Sequence, residues 1–282
     1  MFFDSHTHIN YDGYTEEERM ALISVIERSN VDAVMDVAVD LVSSVLTVSH
    51  VKKLPWCYGA VGYHPHEAKD MGDDELAMIR GLARKDKIMA IGEIGLDFFY
   101  DHSERPVQRE VFRKQIRLAN ELKMPIIIHS READKETMDI LKEEGAFSDE
   151  RRSWFPERPV PDGPEWKGAE KDARVLLHCF SGSRETARQY VKLGATLSVA
   201  GPVTYKNNKK TVGVVNDIPI DFLLVETDAP FLTPEPLRGK RNVSPYIIHT
   251  AGKVGEIKGL TLEETAEITK KNAMRFFGID AL

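Results

Sequence analysis

The chain has 282 residues, of which 42% are hydrophobic and 29% charged, the balance of a folded, water-soluble protein with room for one large α/β barrel domain. Its formal charge of -7 excludes a broad basic surface that coats nucleic acid through many phosphate contacts, while leaving room for a local basic pocket. Cys57 and Cys179 are the only cysteines and form no CxxC pair, which excludes a disulfide scaffold and suits a reducing, cytoplasmic setting. The opening MFFDSHTHIN lacks the basic start, apolar stretch and cleavage site of a signal peptide, so secretion is not expected. No apolar run approaches the roughly 20 residues of a membrane helix, so no membrane association is expected. Nothing points to an obligate protein partner.

In chain order, short apolar runs alternate with longer amphipathic segments, the pattern of β/α units around a parallel sheet. The first run, Phe2–His6, leads into His6-Thr7-His8. Residues two apart on an extended chain point the same way, so two imidazoles can face one ion. Thr15 opens a helix over Thr15–Arg28, with three glutamates in its first turn and Glu18 at capping-box spacing. Runs at Ala33–Ala38 and Cys57–Gly62 follow, the second leading to His64, and Ile88–Glu93 ends on Glu93 within IGEIGLD. Pro106–Lys123 begins with proline and repeats Val111, Phe112, Ile116, Ala119 and Leu122 at helical spacing. Pro125–His129 and Arg174–Cys179 carry His129 and His178 at their ends, Ala195–Val199 is the seventh run, and Phe222–Thr227 is the eighth, with Asp228 just beyond it. Thr261 and Glu264, again at capping-box spacing, mark a last helix over Leu260–Phe277.

One segment breaks the rhythm. Gly145–Asp172 holds several prolines, many charges and the aromatics Trp154, Phe155 and Trp166, so it is expected as an ordered long loop, a lid or binding loop over the strand C-termini. Eight parallel strands suggest a TIM-like (β/α)8 barrel, a single domain over residues 1–282 with an inserted loop at about 145–172. A doubly wound open sheet competes, but no GxGxxG follows the first strand.

Active sites of such barrels gather at the C-terminal ends of the strands, where His6, His8, His64, Glu93, His129, His178 and Asp228 all fall. Any one of them could be a core residue with a private hydrogen bond, and Asp228 could cap the turn before Pro230. So many polar groups at equivalent strand ends, each costly to bury unpaired, argue for a shared site. Glu226 shares a face with Asp228 and is left open between a supporting carboxylate, a ligand of an extra ion and a salt-bridge partner. Imidazole and carboxylate donors without cysteine suit zinc, manganese or magnesium, and the donor set does not choose among them. Cys179 points away from the face of His178 and reads as a packed residue.

The sequence also closely resembles the TatD family of metal-dependent deoxyribonucleases, within the amidohydrolase-like superfamily, over nearly its full length. The resemblance is carried by DSHTHIN at the start, GYHPHEA at Gly62–Ala68, GEIGLDFFY at Gly92–Tyr100, PIIIHSREA at Pro125–Ala133, HCFSGS at His178–Ser183 and ETDAPFLTPEPLRGKRN at Glu226–Asn242. It implies a TIM-like barrel with two divalent metal ions (Mg, Mn or Zn): His6, His8 and Asp228 on one, His129 and His178 on the other, Glu93 bridging them. The Gly145–Asp172 segment looks longer than the usual connection between the PIIIHSREA and HCFSGS motifs.

A paired-ion site makes hydrolysis the natural reaction. Asp228 is assigned to orient and deprotonate the attacking water, being within direct proton-transfer reach of it, and His64 to contact the substrate phosphate or leaving group. His64 could instead be held structurally by the turn at Pro65, and the case for His66 is weaker. Arg131, Arg238 and Arg241, with Lys240, follow strand-end motifs and form either a basic rim for phosphate or a solvated charged loop. The leading expectation is phosphodiester hydrolysis, with DNA ends, single-stranded DNA or nucleotides as substrates. The alternatives are an amidohydrolase acting on a small amide or ester, and a metal- or nucleic-acid-binding protein without turnover.

Overall fold

The computed structural model describes residues 1–282. Eight strands, β1 (Phe2–Thr7), β2 (Val31–Val37), β3 (Cys57–Val61), β4 (Ile88–Asp97), β5 (Ile126–Arg131), β6 (Val175–Leu177), β7 (Ala195–Val199) and β8 (Leu223–Val225), pair in parallel in sequence order. The ring closes where the end of β8 returns to β1: Asp228 N donates to His6 O at 2.9 Å and His8 N to Ala229 O at 2.8 Å. The fold is the expected TIM-like (β/α)8 barrel, and no helix is long and apolar enough to cross a membrane.

The helices are α1 (Glu16–Glu27), α2 (Leu41–Lys53), α3 (Asp73–Ala83), α4 (Arg105–Leu122), α5 (Asp134–Glu143), α6 (Asp149–Ser153), α7 (Arg184–Lys192), α8 (Lys209–Asp217), α9 (Ile247–Lys258) and α10 (Leu262–Phe277). The capping boxes expected at Thr15 and Thr261 both form, and α4 ends on left-handed Lys123. Phe3, Met35, Ala60, Ala90, Ile127, Leu176 and Leu224, one from each strand but β7, form an inner cluster that Phe276 and Phe277 of α10 join. Two residues on from Ile127 and Leu176 stand His129 and His178, on the same face by strand alternation. The barrel interior is thus apolar below and donor-rich above.

The main departure in strand length is β4, which runs on to Asp97. Gly95 permits this: it has φ +149, and any Cβ there would collide with the His129 carbonyl of β5. The close approach sets Gly95 against His129 and Asp97 against Arg131, which puts a carboxylate beside the His129 ring.

The Gly145–Asp172 segment is not a lid over the strand C-termini. It contains α6 and a short 3-10 turn at Pro164–Trp166, and it packs on the opposite end of the barrel. The buried Arg151 guanidinium donates to Ala173 O (2.9 Å), Asn120 Oδ1 (2.7 Å) and Met124 O (2.8 Å). Arg158 donates to Ala169 O (2.6 Å), Ala195 O (2.7 Å), Thr196 Oγ1 (3.1 Å) and Val191 O (2.9 Å). Ala173, Met124 and Ala195 all lie where strands begin. The physical reason is chain order: a segment between α5 and β6 returns from a helix to a strand, so it lies at the end where strands start. Trp166 is buried, 5.4 Å from the Phe222 ring, which makes the segment part of the barrel floor.

Candidate metal centre

The centre is organised around Glu93. Its Oε2 lies 3.3 Å from His6 Nε2 and 3.9 Å from His8 Nε2, while its Oε1 lies 2.7 Å from His129 Nδ1 and 2.8 Å from His178 Nε2. Asp228 Oδ1 is 3.3 Å from His8 Nε2 and 3.8 Å from His6 Nε2. One carboxylate therefore stands between two groups of donors, His6, His8 and Asp228 on one side and His129 and His178 on the other. All are buried or nearly so, and only histidines lie within ion-pair distance of Glu93 or Asp228. Burial would raise the Glu93 pKa, but the surrounding imidazoles, His178 foremost, outweigh it and hold it well below the ordinary carboxylate value.

The residues behind the donors determine which atoms face inward. His8 Nδ1 donates to Val37 O at 2.7 Å, a carbonyl that also accepts from Asn10 Nδ2 at 2.9 Å. His129 Nε2 lies 3.1 Å from Asp97 Oδ2, and His178 Nδ1 lies 3.3 Å from Glu226 Oε1. In each ring the outward nitrogen is engaged by an oxygen, so that with a cation bound the inward nitrogen would offer its lone pair, the arrangement that orients metal-ligating histidines. His6 Nδ1 is buried without a hydrogen-bond partner. The donor set fits divalent cations.

Glu226 and Asp97 act from behind. Both Glu226 oxygens are engaged, Oε1 by Cys179 N at 2.8 Å and Oε2 by the Ser198 hydroxyl, so although it lies close to His6 and His178 it positions His178. The backbone of Cys179, not its thiol, serves the site. Asp97 is the residue missing from the sequence-based set. It stands four residues beyond Glu93 in GEIGLD, and its signal is that alternation along one strand.

His64 differs from the ligand histidines. Its Nδ1 accepts from His66 N at 3.1 Å, so Nε2 carries the proton and points inward, 3.6 Å from Glu93 Oε1. Burial and neighbouring His129 keep its pKa well below the ordinary value, leaving a neutral ring with a donor aimed at the centre. His66 Nε2 lies 3.0 Å from Asp97 Oδ2.

Asp228 has φ +56, a left-handed conformation that aspartate tolerates better than most residues. Its N–H bond to β1 and its carbonyl, which accepts from Phe231 N at 2.8 Å, hold it there. Asp4 ties the same turn down, accepting from Thr227 N at 2.9 Å and Thr227 Oγ1 at 2.6 Å, and burial pushes its pKa up to about 7.

The expected basic rim is only partly assembled. Arg131, at the end of β5, lies over the rings of Phe99 (4.2 Å) and Tyr100 (4.6 Å). Arg238 lies over Tyr205 at 4.4 Å, in a cleft lined also by Lys206, Asn208 and Glu235. Arg241 is committed to Glu18 of α1 at 2.9 Å, and Lys240 serves through its backbone, its carbonyl accepting from Thr233 Oγ1 at 2.6 Å.

Inward-facing imidazole and carboxylate atoms at the catalytic end of an eight-stranded barrel, each backed by a partner that fixes its orientation, define the class of metal-dependent hydrolases. Comparison with known proteins narrows the class. The family model described as TatD related DNase matches residues 3–278. Over 283 residues the chain is 42% identical to the uncharacterized metal-dependent hydrolase YabD of Bacillus subtilis, covering 99% of this chain and all of the relative (100%). It is 31% identical over 229 residues to a protein of Erwinia amylovora named 3'-5' ssDNA/RNA exonuclease TatD, covering 79% of each. Among solved structures, the TatD homolog YJJV from Escherichia coli K12 aligns with a TM-score of 0.82 at 25% identity, covering 98% of both chains. The chain belongs to the TatD-related family.

Proposed function

We propose that this protein hydrolyses phosphodiester bonds at the ends of single-stranded DNA, using two divalent cations. The observation that carries the reading is Glu93, whose two oxygens face separate donor groups. His6, His8 and Asp228 would hold one cation, His129 and His178 the other, and Glu93 both. When bound, such a pair supplies Lewis acidity to a phosphoryl oxygen and lowers the pKa of water, with magnesium, manganese and zinc all compatible.

The chain's own groups do the rest. Burial opposes ionisation of Asp228, but His8 and His178 outweigh it and hold its pKa below the usual carboxylate value, so the residue is ionised and able to accept the proton of the attacking water. His64 Nε2–H is aimed into the centre, as a donor to a phosphate oxygen or to the leaving group. Arg131 lies at the mouth with a planar guanidinium suited to a second phosphate.

The Erwinia amylovora relative's name supports the choice of an unpaired strand. With a net charge of -7, affinity rests on a few contacts near the reacting linkage and not on a long electrostatic track along duplex. The test is digestion of end-labelled single- and double-stranded DNA with magnesium or manganese. Single-stranded ends should be degraded first, and Asp228→Asn should be slower by about a thousand-fold or more, roughly 4 kcal/mol of barrier. Robust hydrolysis of small amides or esters with no phosphodiester cleavage under any metal would overturn the reading.

A further inference from the structure

Only three aromatic side chains of this chain are exposed, Phe99 (51%), Tyr100 (51%) and Phe231 (46%), and all three border the metal centre. They follow its motifs directly: Phe99 and Tyr100 come just after Asp97, Phe231 three residues after Asp228. Exposed aromatic area is costly to leave in water. Its confinement to the rim of one site asks for a ligand with planar apolar parts.

Both platforms are tied to the groups they flank. The N–H groups of Phe99 and Tyr100 donate to Asp97 Oδ1 at 3.0 and 2.9 Å, while Oδ2 of the same carboxylate holds His129 and His66. Arg131 covers part of both rings, so guanidinium and ring faces form one continuous surface. On the other flank, Phe231 N donates to Asp228 O. Its ring stands 6.1 Å from that of His8 and is backed by Tyr11 at 5.4 Å. Glu93 lies between the two flanks, touching His129 with one oxygen and nearest to His6 and His8 with the other.

A centre built for anionic oxygen, with a π face fixed on each side, matches a polymer in which phosphates alternate with planar bases. In a duplex those bases are stacked on one another, whereas in a single strand each offers a face, and stacking on aromatic side chains is tolerant of sequence. Resting on the phosphodiesterase reading above, we infer that Phe231 on one flank, and Phe99 with Tyr100 on the other, stack the nucleobases on either side of the scissile phosphate. The enzyme thereby selects unpaired strands and requires a base at both positions.

A cycle between protein and substrate tests this. Fluorescent oligothymidylates, intact or abasic at either of the last two positions, are titrated against the Asp228→Asn protein with magnesium, alone and combined with Phe231→Ala or with Phe99→Ala and Tyr100→Ala. Each platform variant should weaken binding of intact strand by roughly five- to hundred-fold. An abasic residue at the matching position should weaken binding to the parent equally and add nothing once the aromatic is gone. Phe231→Trp should restore binding, and melting temperatures should not move, because these side chains lie outside the core. Fully additive losses, or variants that bind like the parent, overturn the stacking assignment while leaving single-strand cleavage by the wild type intact. Absence of phosphodiester cleavage by the wild type would instead remove the reading on which it rests.

Discussion

Glu93→Gln is expected to lose about a thousand-fold or more in turnover, roughly 4 kcal/mol of barrier, while keeping the circular dichroism of the folded barrel. The substitution preserves shape but removes the charge facing His6 and His8 through Oε2 and His129, His178 and His64 through Oε1. Because both donor groups depend on this carboxylate, metal content should fall together with activity. Single-turnover kinetics beside elemental analysis check this, and a variant that hydrolyses substrate at the wild-type rate would remove Glu93 from its shared role.

Replacing Arg151–Lys171 by a short glycine-serine linker is expected to unfold the barrel or lower its stability severely. The segment contributes two buried guanidiniums that satisfy carbonyls where strands begin, and it places Trp166 against Phe222. The single change Arg158→Met isolates the effect. It takes the guanidinium donor from the carbonyls of Ala169 and Ala195 and from Val191 O, which keeps only Gly194 N, at a cost on the order of 3 kcal/mol. Denaturant midpoints measure the loss. The kcat/KM of the protein that remains folded should be unchanged, since the catalytic end lies across the barrel. Normal stability with an altered substrate preference would contradict this placement.

Part of this molecule was legible because barrel geometry repeats itself. Short apolar runs marked all eight strands, and polar residues at their ends marked His6, His8, His64, Glu93, His129, His178 and Asp228, which the fold brings to one place. What stayed hidden depended on three dimensions. Asp97 was missed because β4 continues past Glu93, an extension permitted by the absence of a Cβ at Gly95. Glu226 could not be assigned without seeing both its oxygens taken by Cys179 N and Ser198. Arg241 looked free in sequence, yet it pairs with Glu18, 223 residues away. The aromatics of the Gly145–Asp172 segment suggest a binding loop, but its position between a helix and a strand puts it at the end where strands begin. The sequence alone does not show that Phe99, Tyr100 and Phe231 stay exposed.

The proposed function places a cation on either side of Glu93. Anomalous diffraction from crystals soaked in manganese tests it most directly. Two anomalous peaks are expected, one against His6, His8 and Asp228 and the other against His129 and His178, with Glu93 in contact with both. A single peak at saturating manganese, or peaks away from Glu93, would contradict it.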